Sequence, residues 1–287
     1  MRYFRVSRGG ERRLVASDGD TAYDLTSAPG GPGTLVELLR AGGDDAPDLD
    51  AAASEYVPDA TTVEVAAGDL LAPAKPPEVW AAGVTYEISE EARQAESDEP
   101  DVYIDVYESE RPEIFLKATP SRTVGPGAAV GIRGDSTWDV PEPELGVVLY
   151  RGEAVGYTVG NDVSSRSIEG ENPLYLPQAK VYDRCCAVGP CVASLDEVDD
   201  PHDLETRMWI HRDGDVVYED ATSTDQMVRT CEDLTSYLTR HNVVPDLAVL
   251  LTGTALVPDG DFTLREGDDV EIEIEDVGRL ENPVTTV

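Results

Sequence analysis

The sequence predicts an α+β fold that is mostly β, with a small N-terminal α+β domain over residues 1–71 and a larger β-rich domain over 76–287. Three observations lead there. Short apolar runs bounded by Gly, Pro or Asp recur after residue 76, while convincing helical periodicity is rare. The stretch Ala72-Pro-Ala-Lys-Pro-Pro77 is a stiff connector, because consecutive prolines fix φ and remove backbone donors. The 287 residues suffice for one large domain or two smaller ones around a substantial core.

In chain order, residues 2–26 read as short antiparallel strands turning at Gly9-Gly10 and at Asp18-Gly19. Thr34 caps a short helix that runs to Ala41, and the Gly, Asp and Ala-rich stretch 41–54 reads as a loop. Beyond the connector, 79–84, 113–117 and 145–150 are strand-like apolar runs. Residues 206–212 and 215–218 form a hairpin about Asp213-Gly214. The capping box Ser223-x-x-Gln226 opens a helix whose Met227, Cys231, Leu234 and Leu238 share one face. Two late strands follow, 247–251 and the alternating Val270, Ile272 and Ile274.

The formal charge of −36 would repel phosphate backbones and anionic headgroups alike, so nucleic acid and membrane surfaces are poor partners. No apolar run approaches the roughly 17 residues that cross a bilayer. Of the 22 basic residues only Lys75, Lys117 and Lys180 are lysines. That balance resembles the proteins of a salt-loving cytoplasm, in which dense carboxylates keep the surface solvated, so most Asp and Glu need no catalytic explanation. Each remaining lysine is correspondingly informative. Cys185, Cys186, Cys191 and Cys231 lack paired metal-binding spacing and no signal-peptide apolar region opens the chain, which fits a reducing cytoplasm.

The densest chemical constellation is Trp138-Asp-Val-Pro-Glu142-Pro-Glu144-Leu-Gly146, followed by a hairpin turn and Gly156-Tyr-Thr-Val-Gly-Asn161-Asp162. Residues two apart on a strand share a face, so Glu142 and Glu144 project together. A hairpin centred near Gly152 sets Asp162 opposite Glu142. Three convergent carboxylates repel unless a cation sits among them, and all-oxygen ligands favour Mg²⁺, Mn²⁺ or Ca²⁺ over zinc. The bland alternative is three carboxylates on an acidic surface. Lys180, in Gln178-Ala-Lys-Val-Tyr-Asp183 with Gly189-Pro190 following as a turn, is either a general base whose pKa is lowered by a nearby cation and desolvation, or the salt-bridge partner of Asp183.

Together with Gly83-Val-Thr-Tyr86, Pro112-Glu-Ile-Phe-Leu-Lys117, Gly160-Asn-Asp-Val-Ser-Ser-Arg166, Gly189-Pro190, Leu251-Thr-Gly-Thr254 and Gly278-Arg-Leu-Glu-Asn282, these motifs resemble the fumarylacetoacetate hydrolase superfamily, in its order, from about residue 76 onward. The resemblance implies a mixed β-sandwich or β-roll and a Mg²⁺ or Mn²⁺ ion held by Glu142, Glu144 and Asp162. It also implies a homo-oligomer, dimer or tetramer. The hydrolases usually carry a histidine three residues after the position of Tyr86; here that residue is Ser89, which removes their water-activating imidazole. The segments from Gly83 to Arg93 and from Tyr107 to Glu113 are instead similar to the branch that dehydrates 2-keto-3-deoxy-pentonates, from arabinose or xylose, to 2,5-dioxopentanoate.

That likeness implies catalysis by Lys180 and Glu113, one as base toward a C3 proton and the other as acid toward the C4 hydroxyl. Tyr86, Lys117, Ser164, Arg166 and Thr254 are implied substrate contacts, and Phe115 is core packing. Two other outcomes stand beside this one: an acylpyruvate or fumarylpyruvate-type hydrolase on the same metal site, and a non-catalytic cation-binding protein.

Overall fold

The computed structural model describes residues 1–43, 47–86, 109–258 and 260–287. In the first 71 residues lie β1 (Arg2–Arg8), β2 (Glu11–Ser17), β3 (Ala22–Asp24), β4 (Thr61–Val63) and β5 (Leu70–Leu71). After the connector come β6 (Glu78–Gly83), β7 (Glu113–Ala118), β8 (Thr123–Val124), β9 (Val130–Ile132), β10 (Asp139–Val140), β11 (Pro143–Tyr150), β12 (Glu153–Asp162), β13 (Ser164–Ser165) and β14 (Cys186–Ser194). The last strands are β15 (Glu205–Arg212), β16 (Asp215–Ser223), β17 (Leu247–Leu251), β18 (Asp269–Ile274) and β19 (Gly278–Thr286).

Twelve strands form one mixed sheet along β4-β3-β2-β1-β14-β12-β11-β17-β6-β7, with β5 beside β1 and β8 beside β14. The sheet crosses the proline connector, since Arg2 and Tyr3 of β1 pair with Ala193 and Val192 of β14. Five strands, β16-β15-β18-β19-β9, form a second sheet. The period of two sorts β11 between two cores. Leu145, Val147 and Leu149 pack with Met208, Ile210, Val270 and Ile272 of the second sheet, giving the sandwich. Val148 and Tyr150 face the other way, toward Leu35, Leu38, Leu39 and Leu49 of the N-terminal helices. Covered on both faces, β11 is buried at every residue, which is why it reads as an unbroken apolar run.

Three expectations need correction. The stretch 41–54 is not all loop: Leu49–Ser54 is a helix, because the Asp48 side chain accepts from the Asp50 and Ala51 N–H groups and Leu49, Ala52 and Ala53 are buried. Ser223 caps only the 3-10 turn Thr224–Gln226, since Met227 goes extended to bridge Tyr86; the helix Cys231–Thr239 starts later, capped by Thr230. Gly189-Pro190 lies inside β14 and not at a turn. The β12–β14 register shifts between Tyr157 and Val159, so the residue without an N–H falls where the ladder is already irregular. All four cysteines are free and buried. Among the described residues no helix is long and apolar enough to cross a membrane.

Candidate active site

The site is built on the far end of the β11–β12 hairpin. Its turn residues, Arg151 and Gly152, have φ of 52° and 88°, the left-handed pair of a tight hairpin turn. That two-residue turn alone would set Asp162 one residue away from Glu142. A bulge restores the offset: Leu149 pairs with Ala154 but Val148 with Gly156, leaving Val155 extra. Beyond it Glu144 opposes Gly160, Pro143 opposes Asn161, and the Asp162 N–H donates to the Glu142 carbonyl at 2.9 Å.

Glu142, Glu144 and Asp162 are 2 %, 3 % and 1 % exposed, and each offers an oxygen within 4.8 Å of the other two. The Gly253 N–H donates to Glu144 Oε2 at 2.7 Å, and the Glu142 N–H donates to Asn161 Oδ1 at 3.2 Å. Gly253 is required here, since its φ is +90° and a Cβ would stand 2.0 Å from Thr85 Oγ1. Three cations press on the cluster. Lys117 Nζ lies 2.5 Å from Asp162 Oδ1. Lys180 Nζ lies 2.5 Å from Glu142 Oε2, 2.6 Å from Ser164 Oγ and 3.7 Å from Asp162 Oδ2. Arg166 Nη2 lies 2.7 Å from Glu142 Oε1, and its Nη1 lies 3.8 Å from Glu169 Oε2.

Burial, then the neighbouring Asp162 and Glu142, push the Glu144 carboxyl well above the usual carboxylate range. Burial would lower the Lys117 ammonium, but the Asp162 carboxylate against it outweighs that and holds the lysine charged. Burial, helped by Glu144, raises the Tyr86 phenol above its ordinary value.

These residues fit a hard divalent ion. The donors are all oxygen, they converge, and Asp162 Oδ2 is buried while accepting no hydrogen bond among the described residues. Among those residues this is the single His, Cys, Asp and Glu group with such geometry, and it includes none of the cysteines.

The cavity over the cluster is lined by Val84, Phe115, Arg166, Lys180, Gly253 and Thr254, with the carboxylates at its base. Lys180, Arg166 and Thr254 thus line one cavity with the carboxylates. Ser164 is fully buried and supports Lys180. Lys117 is also fully buried and sits behind Asp162, donating to the Val163 and Lys180 carbonyls. Glu113 opens β7 opposite Gly83, half-buried and on the same face as Phe115 and Lys117. Phe115 packs as expected but also faces the cavity, its ring centre 5.7 Å from Lys180 Nζ. Tyr86 is buried at the bridge to Met227. Ser89, Arg93 and Tyr107 lie outside the described residues.

Sequence reasoning missed Asn161, Gly253 and Glu169 as supports of the cluster. The Thr-Gly-Thr after an apolar strand is a signal for Gly253, whereas nothing local marks Glu169. It also missed Val84, a β-branched residue held at φ 55° on the cavity wall, where strain is uncommon outside functional sites.

A family model described as fumarylacetoacetate (FAA) hydrolase C-terminal matches residues 78–285. The chain is 61 % identical, over 289 residues and the full length of both chains, to a probable 2-keto-3-deoxyxylonate dehydratase of Haloferax volcanii. It is 46 % identical over 217 residues to the 2-dehydro-3-deoxy-D-arabinonate dehydratase of Saccharolobus solfataricus, covering 74 % of this chain and 73 % of that one. A solved structure of 2-keto-3-deoxy-D-arabinonate dehydratase complexed with magnesium and 2,5-dioxopentanoate superposes with a TM-score of 0.85 at 38 % identity, over 100 % of this chain and 99 % of the other.

Proposed function

The chain belongs to the fumarylacetoacetate hydrolase C-terminal family, and from that premise we propose that it is a hydro-lyase converting a 2-keto-3-deoxy-pentonate to 2,5-dioxopentanoate. The observation that carries this proposal is the buried Glu142, Glu144 and Asp162 cluster with Lys180 Nζ inside it. Loss of the stereocentres at C2 and C3 makes the D-xylose and D-arabinose derivatives the same compound, so one D-configured 2-keto-3-deoxy-pentonate fits the names of both relatives.

Glu142, Glu144 and Asp162 would hold Mg²⁺, or Mn²⁺ in its place. When bound, the ion supplies Lewis acidity that makes the C3–H of an α-keto acid more acidic. Lys180 takes the C3 proton as the neutral amine, its nitrogen oriented by the Ser164 hydroxyl and its approach bounded by Phe115. Glu113 gives a proton to the C4 hydroxyl, which leaves as water; proton shift from C5 then yields the terminal aldehyde. Arg166 clamps Glu142 against Glu169, and Lys117 fixes Asp162 from behind. Tyr86 and Thr254 contribute hydroxyls for the substrate's polar groups. With Lys180 neutral, the carboxylates Glu142, Glu144, Asp162 and Glu169 exceed the cations Lys117 and Arg166 by two charges, which a divalent ion would cancel.

The chain's Ser89, where hydrolases carry histidine, supports dehydration over hydrolysis. Leu174 and Tyr175 are 83 % and 41 % exposed just before the helix that ends on Lys180, which supports a homo-oligomer covering them. Four buried free thiols support a reducing, cytoplasmic setting. Incubation with 2-keto-3-deoxy-D-pentonate, its L enantiomer and acylpyruvates, each with Mg²⁺, tests the proposal. Formation of 2,5-dioxopentanoate from the D acid, abolished by chelation, is expected; turnover of acylpyruvates alone would reject it.

A further inference from the structure

Arg5, Arg12 and Lys75 line a cleft of about 200 Å³ with Leu71, Pro76 and Thr123, and among the described residues no acidic one borders it. In a chain with 58 acidic and 22 basic residues, three bases without a carboxylate run against the composition. The fold enforces the convergence. Arg5 of β1 stands opposite Leu71 of β5, and Arg12 of β2 stands opposite Ser7 of β1. The connector that carries Lys75 is pressed onto the segment after β8, where a Cβ on Gly125 would meet the Ala72 backbone nitrogen at 2.3 Å.

The neighbouring arginines behave differently. Arg8 pairs with Asp69 and Arg13 with Asp24, at 3.6 Å and 2.7 Å. Among the described residues Arg5, Arg12 and Lys75 form no ion pair, and Arg5 Nε is buried without a hydrogen-bond partner. Burial and the nearby Arg12 lower the Arg5 guanidinium from its ordinary range.

We propose that this cleft binds a compact phosphate oxyanion, free or as a small phosphomonoester, independently of the catalytic cavity. Two guanidinium forks and an ammonium match a tetrahedral dianion, which satisfies the stranded Nε and relieves the like-charge contact. Because Arg5 and Arg12 come from the first two strands, Lys75 from the connector and Thr123 from β8, the bound anion ties these segments together. Its consequence is stability and not turnover.

The test is titration calorimetry and thermal melting of the Mg²⁺-loaded protein with inorganic phosphate and with glycerol 3-phosphate, ionic strength held constant with chloride. Saturable binding at one site and a matching rise in Tm are expected. Arg5→Gln should weaken binding about tenfold and Lys75→Gln several-fold, the loss of one charge-assisted contact each, with kcat and KM unchanged. Arg8→Gln should change nothing. Tighter binding of glycerol 3-phosphate would support a phosphorylated metabolite as the ligand; equal or weaker binding would support free phosphate. The proposal is overturned if neither anion binds beyond the chloride control, if Arg5→Gln and Lys75→Gln both bind as tightly as the parent, or if Glu142→Gln and not Arg5→Gln removes binding.

Discussion

The hairpins β11–β12 and β15–β16 share one local plan. Each turns on two residues of positive φ, Arg151-Gly152 and Asp213-Gly214. Each keeps two regular pairs beyond the turn and then leaves one valine unopposed, Val155 in the first and Val217 in the second. Both carry carboxylates, yet their surroundings are opposite. The first lies between β17 and β14 and ends in a buried acidic cluster; the second places β16 at a sheet edge, with Glu219 and Asp220 exposed. Turn chemistry thus sets register, while position within the sheet decides whether a carboxylate is solvated surface or a reactive group.

The contrast is broken most severely at its buried end. Asp162→Asn should lower kcat by about a thousandfold or more and abolish most Mg²⁺ affinity, measured by turnover and titration calorimetry. Lys180→Met should lower kcat by about a hundredfold to ten thousandfold with KM little changed, because it removes a proton acceptor while the rest of the pocket stays. A drop in affinity without a drop in kcat would make Lys180 a binding group.

A smaller version of the contrast lies in the stretch that leads into β10. The Arg133 guanidinium beside exposed Asp135 holds that carboxyl below the usual range, whereas burial pushes Asp139 up to about 6, against the lowering effect of Ser136 and the Arg133 backbone. The native state therefore keeps a proton on Asp139 that the unfolded chain has released. Its stabilising effect is complete at pH below about 4 and is lost as pH rises through 6. Asp139→Asn should gain about 1 to 2 kcal/mol of stability at pH 8 relative to its effect at pH 4, measured by denaturant unfolding. An effect independent of pH would reject the assignment.

The two turns sharpen the comparison further. Gly152→Ala and Gly214→Ala should each cost about 1 kcal/mol for positive φ, and Gly152→Ala more, because its Cβ would meet Thr239 Cγ2 at 3.2 Å while nothing lies within 4 Å of Gly214. At the bottom of the scale, Asp220→Asn should change stability by less than about 0.5 kcal/mol and leave kcat unchanged.

These cases also explain what was legible. Glu142, Glu144 and Asp162 converge through a period of two and a hairpin register, both local properties, so the sequence exposes them. The centre assumed for that hairpin, Gly152, gave the right pairing only because the Val155 bulge adds the missing residue. Lys117 against Asp162 and Gly253 against Glu144 are long-range contacts that no spacing encodes. The helix Leu49–Ser54 escaped notice because its apolar positions are mostly alanine, too weak a stripe beside so many Gly and Asp. Gly189-Pro190 looks like a turn in isolation; pairing on β12 makes it strand.

The most direct test is an anomalous-scattering map from crystals soaked in Mn²⁺. A single strong peak about 2.0 to 2.3 Å from one oxygen each of Glu142, Glu144 and Asp162 is the predicted result. Manganese bound elsewhere on this acidic molecule, with those three carboxylates bare in an active enzyme, would contradict it.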